Sequence, residues 1–161
     1  MDKVSPCLWF DGRAEEAAKF YTQLFPDSRI VSIDRAPGDN PSTKQDEILT
    51  VTFTIAGRTF IALNGGPDFT FSEAISLSID CADQEEVDRY WAALTADGGE
   101  PGVCGWLKDR FGLSWQVVPR QMVEMLGSLD RAAAKRAFEA MLSMTKLDVA
   151  KLEQAYEARA A

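Results

Sequence analysis

Gln116 stands in the run "SWQVVP" (114–119), an amide among residues that otherwise read as a buried strand. Period-two alternation places Ser114 and Gln116 on one face and Trp115 and Val117 on the other. The tryptophan face packs on a helix. The glutamine face either lines a cavity or hydrogen-bonds across its own sheet, since a buried amide needs partners either way. The same alternation groups Ser76, Ser78 and Asp80 opposite Ile75, Leu77 and Ile79, and it puts Thr50, Thr52 and Thr54 on one face. Rows of hydroxyls suit a small polar ligand, and they suit a solvent-facing sheet equally well. Trp9 can stack on a ring or fill the core. Cys7 is a nucleophile only where something lowers its pKa, and nothing near it in sequence does so, which favours an inert thiol. "LNGGPDF" (63–69) offers backbone N–H groups to an anion, but no helix clearly follows it and it reads as a turn.

The chain contains no histidine. That removes the commonest general base, the usual metal ligand and every Ser-His or Cys-His triad. An enzyme built on this sequence must use a carboxylate, Cys, Tyr or Lys of perturbed pKa, whereas a binding protein needs only cavity shape, hydroxyls and aromatic surface. A net charge of −8, from 25 acidic and 17 basic residues, argues against nucleic acid and anionic membrane as partners. Three cysteines at irregular spacing, with no C-x-x-C pair, fit a reducing cytoplasm without zinc or redox work. No stretch approaches 18 apolar residues, so no membrane span or signal peptide is expected.

These residues need elements to hold them. "KVSPCLWF" reads as a strand, "GRAEEAAKFYTQLF" as a helix stopped by Pro26, "RIVSIDR" as a strand, and "EILTVTFTIAGRTFIALNGG" as a hairpin turning near Ala56-Gly57. The order then recurs. "AISLSID" is a strand, "DQEEVDRYWAALTADGG" a helix, and "CGWLKDRFGLSWQVVP" a hairpin turning at Phe111-Gly112. That turn sets Ser114 opposite Asp109 and Gln116 opposite Leu107. The helices superimpose at an offset of 70, Glu15-Glu16 on Glu85-Glu86, and the hairpins at an offset of 55, Gly57 on Gly112 and Ile61 on Gln116. With only "EPGV" between its helix and hairpin, the second unit lacks room for one strand. Residues 120–161 are helix-forming, with Ser128 and Thr145 as N-caps and an apolar stripe of Met141, Met144, Leu147, Leu152 and Tyr156 that needs a partner surface.

The duplicated βαβββ unit, "DGRAEEAAKFYTQLF" after the first strand and "LKDRFGLSWQVVP" near the end resemble the vicinal oxygen chelate superfamily, which includes glyoxalase I, bleomycin-resistance proteins and extradiol dioxygenases. Within it the chain is most similar to the 3-demethylubiquinone 3-methyltransferase-like subgroup, through residues 10–21, 108–116 and 144–152. The resemblance implies an α+β fold of paired βαβββ modules around a cavity, residues 1–66 and 67–119, followed by a helical tail, 120–161. Active members bind a divalent metal, and their ligand positions fall near Pro6 or Cys7, at Ile61, near Ser76 and at Gln116. Only Gln116 offers a plausible donor, and an amide is a weak one, so the metal chemistry does not transfer. Nor does the chain carry the glycine-rich first turn that usually holds S-adenosylmethionine. The expectation is a cytoplasmic, homodimeric protein binding a small molecule in a metal-free, cofactor-free cavity, with Gln116, Ser76, Trp9, Cys7 and Ser114 as candidate contacts. The alternative is an enzyme acting on a small organic substrate, whether methyltransferase-like, a glyoxalase-type lyase or a dioxygenase.

Overall fold

A computed structural model of the chain describes residues 2–158. Two compact units divide it, Met1–Phe71 and Ser72–Ala161. Each holds a four-stranded mixed sheet with one helix between its first two strands, the paired βαβββ architecture expected of the superfamily.

In the first unit β1 (Cys7–Phe10), β2 (Arg29–Arg35), β3 (Ile48–Ile55) and β4 (Arg58–Asn64) lie in the order β1-β4-β3-β2. Helix α1 (Ala14–Leu24) buries Ala14, Ala17, Ala18 and Tyr21. The three alanines let the helix approach closely, and the Tyr21 ring stacks on Phe53 at 6.2 Å. No side chain of its own caps α1; Asn64 Oδ1 instead accepts from the Ala14 N–H at 2.9 Å. The β3–β4 hairpin turns at Ala56 (φ 47°) and Gly57 (φ 75°), the two successive positive φ values of a type I′ turn. The unit extends to Phe71 because Phe69 packs edge-on to Trp9 and Phe71 edge-on to Phe10.

The second unit repeats the order with β5 (Ser76–Cys81), β6 (Glu100–Pro101), β7 (Trp106–Lys108) and β8 (Ser114–Pro119), arranged β5-β8-β7-β6. The strand for which the sequence left no room is therefore present, cut to two residues that pair Glu100 with Lys108 and Pro101 with Leu107. Ile61 pairs with Cys7 and Gln116 with Ser78, so the two hairpins each lie beside the first strand of their unit. Helix α2 (Gln84–Thr95) is capped by Asp83, whose carboxylate accepts from the Glu86 N–H at 2.9 Å, and it buries Val87, Tyr90 and Leu94.

The β7–β8 register differs by one residue from the sequence expectation: Lys108 faces Ser114, Leu107 faces Trp115 and Trp106 faces Gln116. Asp109 is the cause. Its carboxylate, 2 % exposed, accepts from the N–H groups of Phe111 and Leu113 and from Trp115 Nε1 at 2.8 Å, which draws five residues into the loop. Alternation along β8 survives the change, so Ser114 and Gln116 still share a face.

Three helices complete the second unit, α3 (Arg120–Leu126), α4 (Arg131–Leu142) and α5 (Val149–Glu157). The N-caps of α4 and α5 are Asp130 and Asp148 rather than Ser128 and Thr145; a carboxylate next to the first helical residue outcompetes a hydroxyl farther back. Ser128 Oγ is used otherwise, accepting from the Asp130 N–H and the Tyr156 hydroxyl. Met122, Met125, Ala137, Leu147 and Leu152 form a buried cluster, with Met141, Met144 and Tyr156 packed against it, so the apolar stripe finds its partner within the unit. The tail joins the module by backbone bonds from Cys104 N–H to Met144 C=O and Gly105 N–H to Thr145 C=O, both 2.8 Å. Gly105 is required there, because a Cβ would lie 2.8 Å from Leu147 Cδ1 and 2.9 Å from the Val117 oxygen.

Candidate functional site

Three of the five sequence candidates meet on the second sheet. Gln116 Nε2 donates to Ser76 Oγ at 2.9 Å, so the amide does bond across the sheet. Ser114 lies beside them, opposite Ser76 on β5 and Lys108 on β7. It is 1 % exposed and its Oγ has no hydrogen-bond partner. The face continues into a cleft of about 210 Å³ lined by Ser114, Trp106, Lys108, Glu100 and Glu73 among others. Lys108 Nζ lies 2.5 Å from Glu73 Oε1. Their hydrogen bond, and then their mutual attraction, holds the Glu73 carboxyl below its usual range and the Lys108 ammonium above its own.

Cys7 and Trp9 stand on the first unit's sheet, two residues apart and therefore on one face, opposite Ile61 and Leu63. Trp9 is half-buried and engaged: its Nε1 donates to the Gly66 C=O at 2.8 Å, Phe69 packs edge-on at 5.0 Å, and its ring lies where a Cβ on Gly65 would project. The glycines of "LNGGPDF" make a turn whose N–H groups both donate to the Phe10 C=O. Cys7 is exposed, and partial desolvation raises its thiol pKa. Burial, with Glu86 and Asp80 nearby, pushes the buried Cys81 up to about 12. Asp80, which shares a face with Ser76 and Ser78, pairs with Arg120 at 2.8 Å. Neither Cys7 nor Asp80 lines the cleft.

Sequence reasoning missed Trp106, Lys108, Glu100 and Glu73. Alternation along β7 puts Trp106 and Lys108 on the Gln116 face once the register is known, so the signal was hidden behind the five-residue loop. Glu100 reaches the cleft through a strand too short to announce itself.

The superfamily's metal does not fit these residues. Ile61 offers no donor, Ser76 and Gln116 are bonded to each other, and among the described residues no three His, Cys, Asp or Glu side chains come together. S-adenosylmethionine fits no better. Both sheets are mixed and four-stranded, and β1 passes to α1 through Asp11-Gly12-Arg13 without the glycine repeat that approaches a cofactor.

A family model described as 3-demethylubiquinone-9 3-methyltransferase matches residues 2–118. Among solved structures, the chain is similar to the putative 3-demethylubiquinone-9 3-methyltransferase, PhnB protein, from Bacillus cereus, at 35% identity over 73% of this chain and 99% of that one, with a TM-score of 0.65. It shares a fold with protein PA1353 from Pseudomonas aeruginosa, at 22% identity over 74% of this chain and 98% of that one, with a TM-score of 0.59. No curated protein matches the sequence. The family match ends within β8, so the three tail helices lie beyond it.

Proposed function

The chain belongs to the family described as 3-demethylubiquinone-9 3-methyltransferase, and from that premise we propose that it binds a small organic molecule on the Gln116 face of its second sheet, without a metal ion. The Gln116–Ser76 hydrogen bond carries this reading: it sets a polar pair on the sheet face beside a cleft, where the first unit has Ile61. Ser114 completes the contact set on that sheet. Trp9 and Cys7 give the matching face of the first sheet an aromatic surface and a thiol. Binding is favoured over catalysis because neither Cys7, whose thiol is raised by desolvation, nor Asp80, which pairs with Arg120, lines the cleft. The family's description names a methyl transfer, and that activity is not carried over, since the described residues lack the glycine-rich first turn that usually holds the methyl donor.

The reading includes a homodimer in the cytoplasm. Val123, Leu129, Phe138 and Leu142 leave large apolar side chains exposed on the tail, and the cysteines are free thiols. Among the described residues, no helix is long and apolar enough to cross a membrane. Light scattering should return twice the chain mass.

A thermal-shift screen of small organic molecules against wild type and Gln116→Leu tests the site. Gln116→Leu should change stability by less than about 1 kcal/mol, because half-exposed Ser76 can turn to water, and it should diminish the ligand-induced shift. A loss of about 2 kcal/mol with unchanged ligand affinity would assign the amide to holding the sheet. Elemental analysis after dialysis should find no stoichiometric zinc, nickel, manganese or iron; one ion per chain would overturn the metal-free reading.

A further inference from the structure

Ser114 is buried between groups that satisfy each other. Gln116 bonds Ser76 and Lys108 bonds Glu73, yet the Ser114 hydroxyl, 1 % exposed, has no partner. An unpartnered buried hydroxyl is unfavourable and rare enough to need a reason. The residue that carries it lines a cleft. Two carboxylates, Glu73 and Glu100, line that cleft with a single ammonium, Lys108, which register places between Glu100 and Ser114. Since Glu73 already neutralises Lys108, one negative charge is left over, on a chain whose net charge is −8. The cleft therefore repels anions and attracts cations. Its Trp106 wall is the aromatic type that best receives a cation or an apolar ring. At about 210 Å³ it is smaller than sites for drug-sized ligands, which start near 300 Å³.

We propose that this cleft takes a small molecule bearing a primary ammonium on an apolar or aromatic body, with the nitrogen donating to Ser114 Oγ in the field of Glu73 and Glu100 and the body lying on Trp106. The assignment rests on the binding face proposed above and names its ligand class. An ammonium has three donors and no acceptor, which suits an orphan oxygen flanked by carboxylates. A carboxylate ligand would have to displace Glu73 from Lys108, and a neutral alcohol would leave the excess charge unbalanced.

Calorimetric titration of the intact chain with 2-phenylethylamine, 3-phenylpropionate and 2-phenylethanol tests the assignment, using wild type, Ser114→Ala, Glu100→Gln and Gln116→Leu. The amine should bind at least about fivefold tighter than the other two, and Ser114→Ala and Glu100→Gln should each weaken it about fivefold. Ser114→Ala should melt no lower than wild type, because removing an orphan hydroxyl strands no partner. The proposal is overturned if the carboxylate or the alcohol binds as tightly as the amine, if neither variant weakens the amine, or if none of the three binds. Tighter binding of the carboxylate or alcohol that is lost in Gln116→Leu would leave the binding face standing and remove only the ammonium. Amine binding that survives both Ser114→Ala and Gln116→Leu would remove the face as well.

Discussion

In the first unit the last hairpin turns on two residues, Ala56 and Gly57, between strands of eight and seven residues. In the second, the corresponding hairpin loops through five residues around the buried Asp109 carboxylate, and its strands have three and six. The outer strand shrinks likewise, from seven residues in β2 to two in β6. Strand order is shared, so topology does not demand long strands. Where backbone pairing is lost, the second unit substitutes a buried polar hub and a set of helices beyond the family match. The sheet faces differ as well, Ile61 standing on one where Gln116 stands on the other.

The largest test of this contrast is truncation after Pro119. It removes Leu147 and Leu152, both fully buried and each worth about 1.5–3 kcal/mol, along with the backbone bonds to Cys104 and Gly105. The second unit should lose cooperative unfolding or aggregate, as followed by calorimetry and light scattering. A soluble truncated chain with an unchanged midpoint would mean that its short strands suffice.

Next come the hairpins. Asp109→Ala strands two backbone N–H groups and the Trp115 indole N–H, and should cost about 3 kcal/mol by chemical denaturation. Gly57→Ala should cost about 1–2 kcal/mol, since φ is 75° and the added Cβ would meet Asp27 Oδ2 at 2.9 Å. Equal costs would erase the distinction between a hub and a turn.

The smallest effect is acidic. The Lys146 and Gln84 hydrogen bonds hold Asp88 below the ordinary aspartate value of 3.8, and the Lys151 N–H does the same for Asp148 at the start of α5. A depressed folded pKa adds stability that is complete above 3.8 and fades as pH falls through the lower folded values. Both carboxylates face solvent, so the change is small. Amide exchange in α5 should quicken below pH 3.8 relative to β3 and β4, and an unchanged ratio would show that these contacts do not tie the tail.

The fold was largely legible, and the site only in part. "RIVSIDR" reads directly as β2, and the Ala56-Gly57 turn as a hairpin, because local dihedral preference and period two decide them. Ser114 and Gln116 were legible as one face by alternation alone, and Ser76 with Ser78 and Asp80 as another; the β5–β8 pairing joins the two. Trp106, Lys108 and Glu100 were not, since their place on that face depends on how many residues the Asp109 loop consumes.

By itself the sequence determined the repeated module, the apolar tail stripe and the absence of histidine chemistry, because periodicity, chain breakers and residue types are local properties. Only the tertiary structure decided the β7–β8 register, the two-residue β6, the aspartate caps and the unpartnered Ser114 hydroxyl. Each depends on which distant group arrives to accept or donate a hydrogen bond. Asp109 reaching the Trp115 indole moves the register, and Gln116 choosing Ser76 leaves Ser114 alone.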